Sequence, residues 1–201
     1  MAMLIEHEGK RPTVDESAYV APTAVLCGDV TIAPDSRILF GAVLTAEGGP
    51  IDIGERCIVM ENAVLRGRES HPVVVGDHVL VGPHAHINGA EIEHDVFIAT
   101  GASVFPGARI GHGSEVRIGA VVHVNSNLRA GATVPIGWIA VGDPADLFPP
   151  DAHEELWPVQ RAMDFPRTVF GLERAEATMD RISTRYAERF GRHRGDRVLD
   201  D

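Results

Sequence analysis

Residues 92–140 read IEHDVFIATGASVFPGARIGHGSEVRIGAVVHVNSNLRAGATVPIGWIA, and every sixth residue from Ile92 is aliphatic: Ile98, Val104, Ile110, Val116, Val122, Leu128, Val134 and Ala140. A step of six fits neither the 3.6-residue period of a helix nor the alternation of one long strand. It fits a triangular solenoid with three short strands per coil, coils stacking about 4.8 Å apart through continuous backbone hydrogen bonds. A sandwich of short Val- and Ile-rich strands has no reason to hold this step over such a length.

The same step runs upstream through Val20, Leu26, Ile32, Ile38 and Leu44, then Ile53, Val59 and Leu65, then Val75, Val81 and Ile87. Small residues recur four places after the aliphatic residue that opens each coil, at Ala24, Ala42, Ala63, Ala85, Ala102 and Ala120, where the chain has to turn a tight corner. The fold expected is mainly β, a left-handed parallel β-helix over residues 1–148. A helical appendage follows over 149–191, and a polar, mobile tail RHRGDRVLDD over 192–201. In the appendage, Pro158 is expected to kink or end a first helix. A second helix from about Leu172 to Phe190 carries an apolar stripe of Leu172, Ala175, Met179, Ile182, Tyr186 and Phe190, with Gly191 as its C-terminal cap.

The register fails in three consecutive coils at one corner, where six becomes nine (Leu44 to Ile53), ten (Leu65 to Val75) and five (Ile87 to Ile92). Loops gathered at one corner of a rigid solenoid are where binding and chemistry concentrate, so this corner is the expected site. Two outward columns run beside it. One reads Val25, Val43, Val64, His86, Ser103 and Val121, an apolar stripe suited to a closed cyclic assembly unless the C-terminal helix covers it. The other reads Cys27, Thr45, Arg66, Asn88, Phe105 and His123.

The 201 residues carry a formal charge of −11, which repels phosphate backbones and anionic lipid surfaces, so no nucleic acid and no membrane partner is expected. The two cysteines, Cys27 and Cys57, form no CxxC pair and fit a reducing compartment; they read as packing residues. With no signal-like or membrane-spanning apolar stretch, a cytoplasmic location is expected.

The segments VAPTAVLCGDVTIAPDSRILFGAVL (20–44), IDIGERCIVMENAVL (51–65), VVVGDHVLVGPHAHINGAEI (73–92) and VPIGWIAVGDPA (134–145) resemble γ-class carbonic anhydrase-like proteins of the hexapeptide-repeat acyltransferase superfamily, over roughly residues 12–148. The resemblance implies a homotrimer with active sites between subunits and a zinc ion held by three histidines. The three corresponding positions here are Arg66, Pro83 and Asn88; Thr45 and Glu47 stand where the family keeps an arginine–aspartate pair, and Glu61 matches its acidic residue near the metal. Arginine and proline cannot hold Zn²⁺ or acidify its water, so the cofactor is left open and ordinary CO₂ hydration is not expected.

His84 and His86 lie beside two of the vacated positions, as a shifted metal site or an acid–base pair. Arg66 next to Asn88 offers an anion-binding corner, with Thr45 and Glu47 alongside as further substrate contacts and Glu61 or His86 as the proton-transfer group. His94 and His112 fall on one exposed corner of adjacent coils and are expected to stack about 5 Å apart. Three functions stay open: an enzyme acting on a small anionic or carbonyl-bearing substrate, an acyl-CoA-dependent transferase with His86 or His123 as base, and a non-catalytic binding or structural subunit.

Overall fold

In this computed structural model, which describes residues 2–199, each six-residue step becomes a strand of two to five residues, and three strands make a coil. The aliphatic residues from Leu26 to Ala140 point inward and are at most 3% exposed, and the corner alanines beside them are at most 1% exposed. The left-handed β-helix of about eight turns is thus held by one continuous apolar column, with Cys57, Val79 and Val96 filling the corners.

The three faces are sheets of parallel strands, two of seven strands and one of ten that includes an antiparallel strand at each edge. The long face runs through Met3–Glu6, Val25–Cys27, Val43–Glu47, Val64–Arg68, His86–Asn88, Ser103–Val104, Val121–Val122 and Ile139–Gly142. Its two edges are closed by antiparallel strands, Ala145–Phe148 at one end and Arg197–Val198 at the other. Pairing both edges closes the open ladders of this face.

The nine- and ten-residue steps lengthen two strands of this face to Val43–Glu47 and Val64–Arg68, paired residue for residue. Behind them the two loops approach so closely that a Cβ on Gly49 would stand 1.9 Å from the carbonyl oxygen of Arg68, and one on Gly67 would stand 2.2 Å from that of Gly49. Only glycine fits at this crossing.

The C-terminal region differs from its sequence reading in four places. Helix α1 (His153–Ala162) runs through Pro158, which costs it a single backbone bond. In place of one helix from Leu172 come α2 (Phe165–Phe170), a 3₁₀ turn at Arg174–Glu176 and α3 (Met179–Phe190). Leu172 is buried, but Met179 is 72% exposed, so the stripe is shorter than expected. Gly191 keeps right-handed dihedrals and opens a 3₁₀ turn, Gly191–Gly195, instead of ending the chain's packing. The segment expected to be a mobile tail is built into the sheet: Val198 pairs with Ile5, Arg197 pairs with Glu6, and the Leu199 amide donates to the Leu4 carbonyl at 2.8 Å. Met1, Asp200 and Asp201 lie outside the described residues. Among the described residues, no helix is long and apolar enough to cross a membrane.

Candidate functional site

Alternation along the long face sends Leu44, Leu65 and Ile87 into the core and Thr45, Arg66 and Asn88 outward on three consecutive rungs. Phe105 and His123 continue this outward column. The chain's own C-terminal helices roof it. Phe165 of α2 packs 6.0 Å from Phe105 and 5.8 Å from His123, while Gln160 of α1 lies 3.1 Å from His123 Nε2. The Arg66 guanidinium sits 5.4 Å from the Phe190 ring of α3. Arg68 donates to the Val169 carbonyl and Arg189 donates to that of Glu47, so the lengthened strands anchor the roof. The valine column alongside, from Val25 to Val121, stays half-buried.

Beneath this roof, the buried atoms Arg66 Nε, Asn88 Oδ1 and His123 Nδ1 have no hydrogen-bond partner among the described residues. A donor and an acceptor left open on neighbouring rungs cost about 1–3 kcal/mol each while they stay unpaired. His86 shares a rung with Val64, two residues from Arg66. Burial and then the Arg66 charge hold its pKa below the ordinary histidine value, so the imidazole is neutral and able to accept a proton beside a cation.

Burial also lowers the pKa of His123 and, helped by Arg68, that of His71. The unfolded chain takes up these protons near pH ~6.5 and the folded chain only lower, so the stability is present above that pH and is lost as the pH falls. The urea midpoint is expected to drop between about pH 7.5 and pH 5.5. Replacing His123 with phenylalanine should flatten that drop, and an unchanged midpoint in the wild-type chain would contradict the assignment.

The residues singled out in the sequence fall in three places. Thr45, Arg66 and Asn88 are neighbours, with His86 beside them. Glu47 is 5% exposed and faces the tail instead: His193 Nε2 is 2.8 Å from its Oε1. Glu61 and His84 lie at the opposite edge of the face, joined by the His84 amide donating to the Glu61 carbonyl at 3.0 Å; the His84 side chain is exposed and its φ is +57°. Neither His84 nor His86 belongs to a group of three metal-ligating side chains among the described residues. At the positions that the resemblance assigns to zinc, Arg66, Pro83 and Asn88 supply no imidazole, thiolate or carboxylate, so this donor set does not fit the ion.

Cys27 and Cys57 are both buried, and burial followed by the Asp196 carboxylate pushes the Cys27 thiol up to about 12. His94 and His112 stack at 5.2 Å in solvent, as their register predicts. His71 was not singled out by the sequence reading, although it sits in the ten-residue step. It folds over Gly89 and Gly107 and lines a groove of about 360 Å³ with Arg109 and Asn125.

No protein-family model matches the chain. It is 34% identical over 104 residues to γ-carbonic anhydrase 1, mitochondrial, of Arabidopsis thaliana, covering 49% of this chain and 38% of the plant protein. It is 28% identical over 109 residues to the carbonic anhydrase of Geobacillus kaustophilus, covering 54% of this chain and 60% of that one. The chain thus spans between about two-fifths and three-fifths of the length of these relatives. Among solved structures, a putative acetyltransferase of Bacillus cereus superposes with a TM-score of 0.55 at 23% identity, covering 92% of this chain and 95% of its own. That likeness concerns the fold.

Proposed function

We propose that this chain, which is γ-carbonic anhydrase-like over about half of its length, binds and acts on a small anionic or carbonyl-bearing substrate at the Arg66–Asn88 rungs. The observation that carries this reading is the pair of buried, unpartnered atoms, Arg66 Nε and Asn88 Oδ1, on adjacent rungs. Arg66 donates to the substrate oxygen, the Asn88 amide pairs with a neighbouring polar group, and neutral His86 accepts a proton. Hydration of CO₂ on zinc is not part of the reading, because Arg66, Pro83 and Asn88, at the positions that the resemblance assigns to the ligands, cannot hold the ion. The cytoplasm, where buried thiols stay reduced, suits the two free cysteines.

The assembly that goes with this site is a homotrimer. Closing a ring buries the half-exposed column of Val25, Val43, Val64 and Val121 and sets the Glu61–His84 edge of one subunit against its neighbour. Sedimentation equilibrium giving a monomer mass would remove this part.

The test of the site follows the His86 imidazole by NMR while acetate and bicarbonate are added. The resonance is expected to shift saturably in the wild-type chain. Arg66→Gln should weaken that response about 10- to 100-fold, the worth of a charge-assisted hydrogen bond, and should move the His86 titration upward because a lowering charge is gone. An imidazole indifferent to both anions and to the substitution would refute the site.

A second reading, acyl-CoA-dependent transfer, has its own observation in the His71 groove. The buried His123, engaged with Gln160, is a poorer base for it than His71. Acetyl-CoA titrated by calorimetry should bind the wild-type chain and fail with Arg109→Glu. No heat with the wild type removes this reading.

A further inference from the structure

The 3₁₀ turn at Gly191–Gly195 carries His193 to the far end of the long face, away from the Arg66 socket. There it meets side chains from the first strand and the first coil. His7 Nδ1 lies 2.6 Å from Asp196 Oδ1, and His193 Nδ1 lies 2.7 Å from Asp196 Oδ2. Cys27 Sγ stands 3.7 Å from the same Oδ2. The two imidazoles stack at 4.4 Å. His7 and Cys27 are each 4% exposed, so the cluster is enclosed by protein on that side.

We propose that His7, Cys27, His193 and Asp196 form a four-ligand site for a divalent transition metal of zinc's chemistry, a clasp that fastens the C-terminal tail to the first coil.

The donor set supports this directly. Two imidazole nitrogens, one thiolate and one carboxylate are the ligand types of tetrahedral zinc, and four protein ligands with no open position describe a structural site. Bonds of about 2.0–2.3 Å place tetrahedral ligand atoms roughly 3.3–3.8 Å apart. The four candidate atoms already lie within 4.8 Å of one another, so closing the site takes movements of about an ångström.

The outer shell fits as well. Each ring turns Nδ1 to the centre, and His193 turns Nε2 to the Glu47 carboxylate at 2.8 Å, whereas His7 Nε2 lies 3.9 Å from Glu8, beyond hydrogen-bond reach. A carboxylate on the far nitrogen fixes the tautomer that leaves the near nitrogen free to ligate. Glu47 is itself held by Arg189, whose Nε lies 3.9 Å from its Oε2. With thiolate, carboxylate and two neutral imidazoles, the loaded centre carries no net charge, which favours burial. Cys27 gives up its thiol proton on ligating, so metal uptake releases acid to the buffer. A cavity of about 520 Å³ that touches His7, Glu47, Arg189 and Arg192 offers a way in. The ligands come from residue 7, residue 27 and a His193–Asp196 pair, so the clasp ties both ends of the chain together. It also holds the strand Arg197–Val198 on the sheet edge.

The experiment titrates the full chain, stripped with chelator and dialysed, with cobalt(II). One cobalt per chain should bind, with the near-ultraviolet band of thiolate-to-cobalt charge transfer and the visible bands of tetrahedral cobalt. Cys27→Ser should lose the ultraviolet band. Glu47→Gln should bind about 10- to 100-fold more weakly, the usual effect of an outer-shell partner, and His193→Ala more weakly still. Arg66→Gln should keep the spectrum unchanged, which separates this site from the substrate socket. No charge-transfer band at saturating cobalt, or one that survives Cys27→Ser, overturns the proposal and leaves a lock made of protons alone. If Cys27→Ser does not fold, judged by far-ultraviolet circular dichroism, the part-exposed His193→Ala decides, and undiminished cobalt affinity there overturns the site.

Discussion

Truncating Leu65 to alanine lowers the free energy of unfolding by about 2–5 kcal/mol, whereas Val64→Ala, one residue away, costs less than about 1.5 kcal/mol. Leu65 is fully buried and stacks between Leu44 on one rung and Ile87 on the next, so the methyl groups removed leave a void bounded above and below by residues that cannot close on it. Val64 faces outward and is half-buried. The coils touch only their neighbours, so a gap in a middle coil weakens two interfaces at once and divides the solenoid. Urea unfolding followed by circular dichroism measures both losses. Equal losses for the two variants would mean that the inward and outward sides of this strand are wrongly assigned.

Asn88→Leu is expected to do the reverse, stabilising the ligand-free chain by about 1–2 kcal/mol, because it replaces a buried polar group that has no partner with an apolar one of similar volume. The same change should abolish the response of His86 to acetate and bicarbonate. A gain in stability joined to a loss of binding is what a socket built for a ligand predicts, since the cost of the unpaired group is repaid only when the site is filled. A variant that loses stability would show that Asn88 is already satisfied in the free chain, and the Arg66–Asn88 socket would then lose its main support. Thermal unfolding with and without 50-fold excess ligand over the measured dissociation constant separates the two outcomes, since ligand should raise only the wild-type midpoint, by an amount equivalent to about 2.3 kcal/mol.

Much of this architecture is legible in the chain because its contacts are periodic. A residue in one coil stacks on residues one coil away, at the same place in the repeat, so the inward aliphatic residues, the corner alanines, the columns and the 5.2 Å histidine stack follow from counting. The neighbourhood of Thr45, Arg66 and Asn88 follows in the same way. The irregular steps announced where the long face would carry extra residues, although counting could not say that they lengthen two strands and cross at Gly49 and Gly67.

The roof over the face and the clasp at its end obey no repeat. Phe165 reaches Phe105 across 60 positions of sequence, and His7 meets Asp196 across 189, so no spacing in the chain announces either contact. A polar segment such as RHRGDRVLDD reads as solvated when its charges are counted alone. Its fate turns on whether polar partners and an unpaired sheet edge wait for it, and His7, Glu6 and the edge strand Met3–Glu6 supply both. The sequence by itself therefore determined the β-helix, its register and its core. Tertiary packing alone decided what covers the long face and which side chains from the two ends of the chain converge there, because those contacts depend on where non-repeating segments come to rest.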